Sequence, residues 1–240
     1  MRLEAVFADR QGMVSAPLPD QDERPLLCID TSSNQGGIAL YDGRTLSTRS
    51  WPAERSHTTT LLTEIRHLLD RSQVRVREIA AVAIATGPGT FTGLRVGFGV
   101  AKGFHLATRV PLIGISTLEA TALGYADCGL PIVAVIGAGR GRIVWAHYDA
   151  IDGGLNQSRP PRNGTVSELV EELRESGRAL VTGELDDDQA ELIGQLDKIS
   201  LPSRPLRARQ PGALAELAWR RWRAGNVDDA SAIEPVYLSR

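Results

Sequence analysis

The sequence contains few of the residues on which common metal, redox and nucleic-acid sites depend. Its two cysteines, Cys28 and Cys128, lie far apart in the chain, which excludes a zinc-finger spacing and favours a reducing compartment. Its four histidines are scattered, and none is paired at the spacing of a metal site. The formal net charge of -2 excludes a strongly basic surface that would bind nucleic acid unaided.

Long apolar runs are also missing. No run approaches the roughly 20 residues that a membrane-spanning helix needs, and residues 1–24 contain no contiguous apolar signal core. We therefore expect a cytoplasmic protein without membrane contact, and we interpret residues 1–24 as a flexible, polar tail. Hydrophobic residues still make up 42% of the chain, enough for the core of one large domain or of two lobes.

Glycine, in contrast, is concentrated where a helix is predicted. The segment 87–103 reads GPGTFTGLRVGFGVAKG and leads into a helix predicted over residues 92–108. Each interior glycine costs roughly 1 kcal/mol of helix stability relative to alanine, so Gly97, Gly99 and Gly103 together cost about 3 kcal/mol. A close approach of backbone must offset this cost, either against the chain's own sheet or against another protein.

The predicted elements repeat in two halves. A buried strand at 26–30 begins the first half, which continues through a hairpin, a helix, a second strand and the glycine-rich helix. A buried strand at 131–136 begins a fainter repeat, in which the proline-containing stretch after residue 154 is expected to be irregular. The pattern predicts two α/β lobes, residues 25–124 and 125–240.

Four segments of this framework resemble the TsaB (YeaZ) family. They read LLCIDTS at 26–32, GPGTFTGLR at 87–95, GISTLEA at 114–120 and EPVYL at 234–238. The resemblance covers residues 26–238 and is dense from 26 to 123. It implies an α/β fold of two ribonuclease-H-like lobes, the superfold of actin, sugar kinases and heat-shock ATPases.

The resemblance also implies a function. Members of this family are non-catalytic partners, or pseudoenzyme subunits, of the transferase TsaD, which transfers a threonylcarbamoyl group to N6 of adenosine 37 in tRNA. The implied assembly also contains the ATPase TsaE and uses ATP, whereas the isolated chain is expected to hold no cofactor. The chain is further expected to form a homodimer in isolation and to meet tRNA only through the complex.

The two N-terminal helices are the predicted partner-binding surface. Their pattern alone leaves open whether these residues contact a partner or the chain's own sheet, and the family resemblance favours a partner because its members pair through these helices. The predicted partner-binding residues are His57, Leu61, Leu62, Ile65, Leu69, Leu94, Gly97, Phe98 and Ala101.

Two further segments bear on catalysis. Asp30, Thr31 and Ser32 form a degenerate phosphate hairpin, because Ser32 stands where nucleotide-binding relatives have glycine. Thr117 and Thr121 stand where the catalytic relative has two metal-binding histidines, and threonine hydroxyls are poor ligands for a transition metal. The alternative functions are a nucleotide-binding or ATP-hydrolysing enzyme of the same fold, or a metallopeptidase.

Overall fold

A computed structural model describes residues 13–15, 22–52, 57–151 and 154–237, with the side chains of residues 13–15 and 57–59 outside the described part. The chain divides into two compact units. The C-terminal unit is Thr117–Arg209, and the N-terminal unit combines the described residues up to Ser116 with Gln210–Tyr237. This division differs from the predicted boundary after residue 124, because the last long helix returns to the first sheet.

The elements alternate in the α/β manner. The strands are β1 (Met13–Ser15), β2 (Leu26–Asp30), β3 (Gln35–Tyr41), β4 (Leu46–Pro52), β5 (Ala81–Gly87), β6 (Leu112–Ser116), β7 (Ile132–Gly139), β8 (Arg142–Ile151), β9 (Gly154–Thr165), β10 (Ala179–Gly183), β11 (Ile199–Ser200) and β12 (Asn226–Asp228). The helices are α1 (His57–Ser72), α2 (Phe91–Thr108), α3 (Thr117–Leu123), α4 (Val166–Glu175), α5 (Asp187–Gly194), α6 (Arg204–Arg207) and α7 (Pro211–Arg223).

The two sheets repeat one topology. In the N-terminal unit the strand order is β1-β12-β6-β5-β2-β3-β4, and in the C-terminal unit it is β11-β10-β7-β8-β9. Each sheet contains an antiparallel meander of three strands, and the first strand of the meander pairs in parallel with the next strand along the chain. The order 3-2-1-4-5 therefore occurs twice, which confirms the predicted fold class of two ribonuclease-H-like lobes.

Helices cover both faces of each sheet, so central strands such as β2, β5 and β10 are buried and apolar. In the N-terminal unit, α1 and α2 pack on the face that carries Leu27 and Ile29, and α7 packs against β2 and β3. In the C-terminal unit, α4 and α5 share a core with Val133 and Trp145, whereas α3 packs on the opposite face of β7. The core of each unit thus lies in two layers, one on either side of its sheet.

Two local expectations were wrong. Residues 13–15, expected to belong to a flexible tail, form β1 and pair with β12, while residues 1–12 and 16–21 lie outside the described part. The stretch after residue 154, expected to be irregular, is β9. Its Pro160 and Pro161 are tolerated because β9 is an edge strand and they lie at a bulge, opposite Ala146.

The glycines of α2 divide into two classes. A Cβ added at Gly93 would collide with the carbonyl oxygen of Thr31, and one added at Gly97 would lie 2.5 Å from Thr31 Oγ1. These two glycines let α2 approach β2. Gly99 and Gly103 are exposed, and an added Cβ would meet nothing within 4 Å outside the helix's own neighbouring backbone. Intramolecular packing therefore explains the first pair and does not explain the second.

This division predicts opposite effects of the same substitution. Gly99→Ala should raise the free energy of unfolding by about 1 kcal/mol, because alanine is the better helix former and the space is open. Gly93→Ala should lower it by about 1–3 kcal/mol, because the methyl group forces the helix away from Thr31. Urea unfolding of both variants measures the difference. Equal effects on the two variants would contradict the proposed division.

A buried carboxylate ties α4 to its sheet in the C-terminal unit. Glu172 accepts hydrogen bonds from Trp145 Nε1 (3.1 Å), Arg159 Nη1 (3.0 Å) and Arg162 Nη1 (2.9 Å), and its Oε1 lies 2.8 Å from His147 Nε2. Burial alone would raise the pKa of Glu172, but these neighbours outweigh burial and hold the pKa below its ordinary value. Burial lowers the pKa of His147, and the attraction of Glu172 offsets only part of that effect.

The lowered pKa of His147 predicts how stability depends on pH. The unfolded chain binds this proton more tightly than the folded chain, so the free energy of unfolding falls as pH drops below about 6.5. In His147→Gln, the share of this decrease in unfolding free energy that His147 causes should disappear, while the charges of Arg159 and Asp149 remain in place. Urea unfolding at about pH 7.5 and at about pH 5.5 measures the decrease. His67→Gln, on the exposed face of α1, is the control; an identical fall in wild type and His147→Gln would rule out the effect.

Candidate functional site

Most of the predicted partner-binding side chains lie in the protein's own core. Helices α1 and α2 must cover one face of the sheet, and they use their apolar stripes to do so. Leu62 is the exception, with 55% of its surface exposed, while the side chain of His57 lies outside the described residues. The members that are buried in the chain are Leu61, Ile65, Leu69, Leu94, Gly97, Phe98 and Ala101.

The outer face of α2 is nevertheless unusual. Phe91, Arg95, Gly99 and Gly103 are exposed and follow one another at intervals of four residues, so they form one stripe along the helix. Leu106 continues the stripe and is 67% exposed. We call these five residues the α2 outer stripe. It presents a flat glycine floor between large apolar side chains at its two ends.

Aromatic and cationic groups order the first turn of this stripe. The ring of Phe91 is 56% exposed and packs against Tyr237, with ring centroids 5.0 Å apart. The guanidinium carbon of Arg95 lies 5.1 Å from the centroid of the Phe91 ring, within range of a cation–π contact. Tyr237 itself is held nearby because Val236 N donates to Thr86 O at 2.7 Å. These contacts give the end of the stripe a defined shape.

A separate groove is lined by α1, by residues 74–76 and by Phe104 of α2. It encloses about 410 Å³, and its apolar lining includes the exposed Leu62 and Val76 with the partly buried Phe104. Arg66, Asp70 and Arg75 form its charged border. The groove and the α2 outer stripe together place apolar surface on the two helices that the sequence singled out, although on different residues.

The degenerate phosphate hairpin is filled by the chain itself. Asp30 Oδ1 accepts from Ser32 N (3.0 Å) and Ser32 Oγ (2.6 Å), and Thr31 Oγ1 donates to Gly93 O (2.7 Å). Thr90 N donates to Ser32 O at 2.7 Å, and a Cβ added at Gly89 would collide with that oxygen. The loop before α2 therefore covers the backbone that a phosphate would approach. The polar groups of this hairpin are thus engaged in contacts within the chain.

The α3 positions do not fit a metal ion. Thr117 and Thr121 are buried, and Thr121 Oγ1 donates to Thr117 O at 2.7 Å within the helix. The guanidinium of Arg209, itself 5% exposed, lies 3.4 Å from Thr121 Oγ1 and 3.3 Å from Glu184 Oε1. Two hydroxyls beside a buried cation are a poor donor set for a transition metal. Among the described residues, moreover, no three His, Cys, Asp or Glu side chains group at metal-binding distance.

Two features escaped the sequence analysis. The outer stripe could have been found, because residues 95, 99 and 103 fall opposite the buried 94, 98 and 101 on a helical projection. Arg209 had no local signal in the sequence, since it meets Thr121 only through the fold.

Within the described ranges, no helix is both long and apolar enough to cross a membrane.

Comparisons with known proteins place the chain in a family. The sequence profile described as "TsaD: tRNA N6-adenosine threonylcarbamoyltransferase" matches residues 51–180. The tRNA threonylcarbamoyladenosine biosynthesis protein TsaB of Escherichia coli is 32% identical over 149 residues, which cover 61% of this chain. The match spans 64% of the E. coli protein, a little under two thirds of its length.

Solved structures agree with this placement. A protein from Pseudomonas aeruginosa described as similar to peptidase YEAZ superposes with a TM-score of 0.76 and 25% identity, over 90% of this chain and 99% of that one. YeaZ from the same organism gives a TM-score of 0.74 at 24% identity, over 89% and 99% of the two chains, and it shows the same fold. The chain therefore belongs to the family that the TsaD profile describes and, within it, to the TsaB (YeaZ) proteins.

Proposed function

We propose that the chain acts in tRNA threonylcarbamoyladenosine biosynthesis as a non-catalytic partner of TsaD, and that it binds TsaD through the α2 outer stripe and the groove lined by α1 and Phe104. In this role it supports threonylcarbamoyl transfer to N6 of adenosine 37. TsaE and ATP belong to the wider assembly, and the chain meets tRNA only within it. The isolated chain forms a homodimer through the same face.

One observation carries this proposal. Gly99 and Gly103 together cost about 2 kcal/mol of helix stability, and nothing in the described chain uses the space that they leave. Small residues allow another helix to approach at a shorter interaxial distance. The exposed Phe91 and Leu106 supply apolar area at the two ends of this floor. A partner that packs a helix on the stripe accounts for both the glycines and the exposed side chains.

The non-catalytic part of the proposal has separate support. The hairpin of Asp30, Thr31 and Ser32 is covered by the loop before α2, and the α3 positions lie beside Arg209. A nucleotide-hydrolysing enzyme needs a phosphate cradle, and a metallopeptidase needs metal ligands. The residues at both positions favour a binding protein over either enzyme.

The docking surface can be tested by adding bulk to its floor. Gly99→Arg should weaken binding to TsaD from the same organism at least tenfold, because the long side chain separates the two helices. Threonylcarbamoyladenosine formation in a reconstituted reaction with TsaD, TsaE, tRNA and ATP should fall in parallel. Gly97→Arg is unsuitable for this purpose, because Gly97 is buried against Thr31.

The matched control is Gly177→Arg. Gly177 is also exposed, and an added Cβ there meets nothing within 4 Å, but it lies in the C-terminal unit. It should leave both TsaD binding and modification unchanged. If Gly99→Arg binds TsaD as wild type does, the stripe is not the docking surface. If modification proceeds equally well without this chain, the partner role itself is wrong.

The nucleotide alternative has its own test. Calorimetric titration of the isolated chain with ATP and Mg²⁺ should show no binding at ATP concentrations up to about 1 mM. A dissociation constant of about 1 mM corresponds to a binding free energy of about −4 kcal/mol. Ser32→Gly should not create binding, because Gly89 and Gly93 still bring the loop against the hairpin. Saturable binding of ATP by the wild-type chain, lost in Asp30→Ala, would favour an enzyme of the actin-like fold.

A further inference from the structure

A buried arginine stands beside the α3 positions that a metal would need. Arg209 lies in the segment between α6 and α7, and its side chain is 5% exposed. Its Nη1 atom is 3.4 Å from Thr121 Oγ1 and 3.3 Å from Glu184 Oε1. One guanidinium nitrogen thus bridges a hydroxyl of α3 and a carboxylate that follows β10.

The surroundings of this nitrogen are built to hold a positive charge. The second carboxylate oxygen of Glu184, Oε2, accepts from Gly137 N at 3.1 Å, which fixes the orientation of the carboxylate toward Arg209. Thr117 lies one helical turn before Thr121, on the same face of α3. Residues 121 and 184 therefore converge on the guanidinium, and residue 117 shares the helical face of residue 121. With imidazoles at 117 and 121, this set would be two histidines and one carboxylate, a common arrangement for a divalent transition metal.

The charge on Arg209 is permanent. A guanidinium remains protonated throughout the pH range in which proteins fold. A divalent cation within a few ångströms of it would be repelled, and burial strengthens that repulsion because solvent screens it poorly. A metal could therefore enter only where the arginine is absent.

We infer that Arg209 is a built-in cation that takes the place of a metal ion in the C-terminal unit and closes this position to metals. This position then excludes a metal for two reasons, since residues 117 and 121 are threonines and the position is already charged. Histidines introduced at positions 117 and 121 are therefore not enough for metal binding, and Arg209 must be removed as well. This inference does not depend on the proposed docking to TsaD.

Cobalt(II) is a suitable probe because its visible absorption reports coordination directly. The test compares Thr117→His/Thr121→His with the same pair plus Arg209→Ala, and circular dichroism verifies that each variant is folded. The triple variant should bind one Co²⁺ per chain, at least tenfold more tightly than the double variant. Adding Glu184→Gln should weaken that binding at least tenfold. Equal binding by the folded double and triple variants, or none by the folded triple variant, overturns the inference.

A second measurement needs only a single substitution and remains decisive if the histidine variants fail to fold. Arg209→Ala should leave a cavity beside Glu184 that accepts a small cation. Methylguanidinium at low millimolar concentration should raise the thermal midpoint of Arg209→Ala saturably, and it should not raise that of wild type. The double variant Arg209→Ala/Glu184→Gln should lose the response. Absence of a saturable rise in Arg209→Ala contradicts the role assigned to Arg209.

Discussion

The contact between the start of α2 and the turn after β2 determines much of the N-terminal unit. Gly93 lies directly against the Thr31 carbonyl, and the Thr31 hydroxyl donates to Gly93 O. A side chain at either Gly93 or Gly97 would separate the helix from the strand. This approach buries the hairpin of Asp30, Thr31 and Ser32, and it fixes which face of α2 points outward. One steric requirement thus buries a hairpin and exposes a helix face.

The C-terminal unit repeats the topology, and a charged pair marks one face of its first helix. Thr117 and Thr121 lie on one face of α3. Arg209 and Glu184 form an ion pair at that face, where the Arg209 guanidinium also contacts Thr121. Close backbone packing therefore shapes the hairpin of the N-terminal unit, whereas paired charges shape this position in the C-terminal unit.

The fold was largely predictable from the sequence, and the site was not. Buried strands such as β2 and β7 carry a strong local signal, and the glycine-rich motif identified α2. β9 was missed because Pro160 and Pro161 suggest irregular backbone, and only the strand's place at the sheet edge makes them acceptable. The sequence could not separate the core face of α1 and α2 from a partner-binding face, because an apolar stripe looks the same whether a sheet or a partner covers it. Arg209 depends on a contact 88 residues away, which no local pattern records.

The bulge in β9 also affects how the protein behaves among other copies of itself. An unpaired strand edge offers a row of donors and acceptors on which another chain can add a strand, and this is one route to aggregation. Pro160 and Pro161 have no backbone N–H, and the bulge that they occupy increases the local twist. The open edge of the five-stranded sheet is therefore a poor template for intermolecular sheet growth. The residues that made β9 hard to recognise as a strand thus protect that edge when the chain is concentrated.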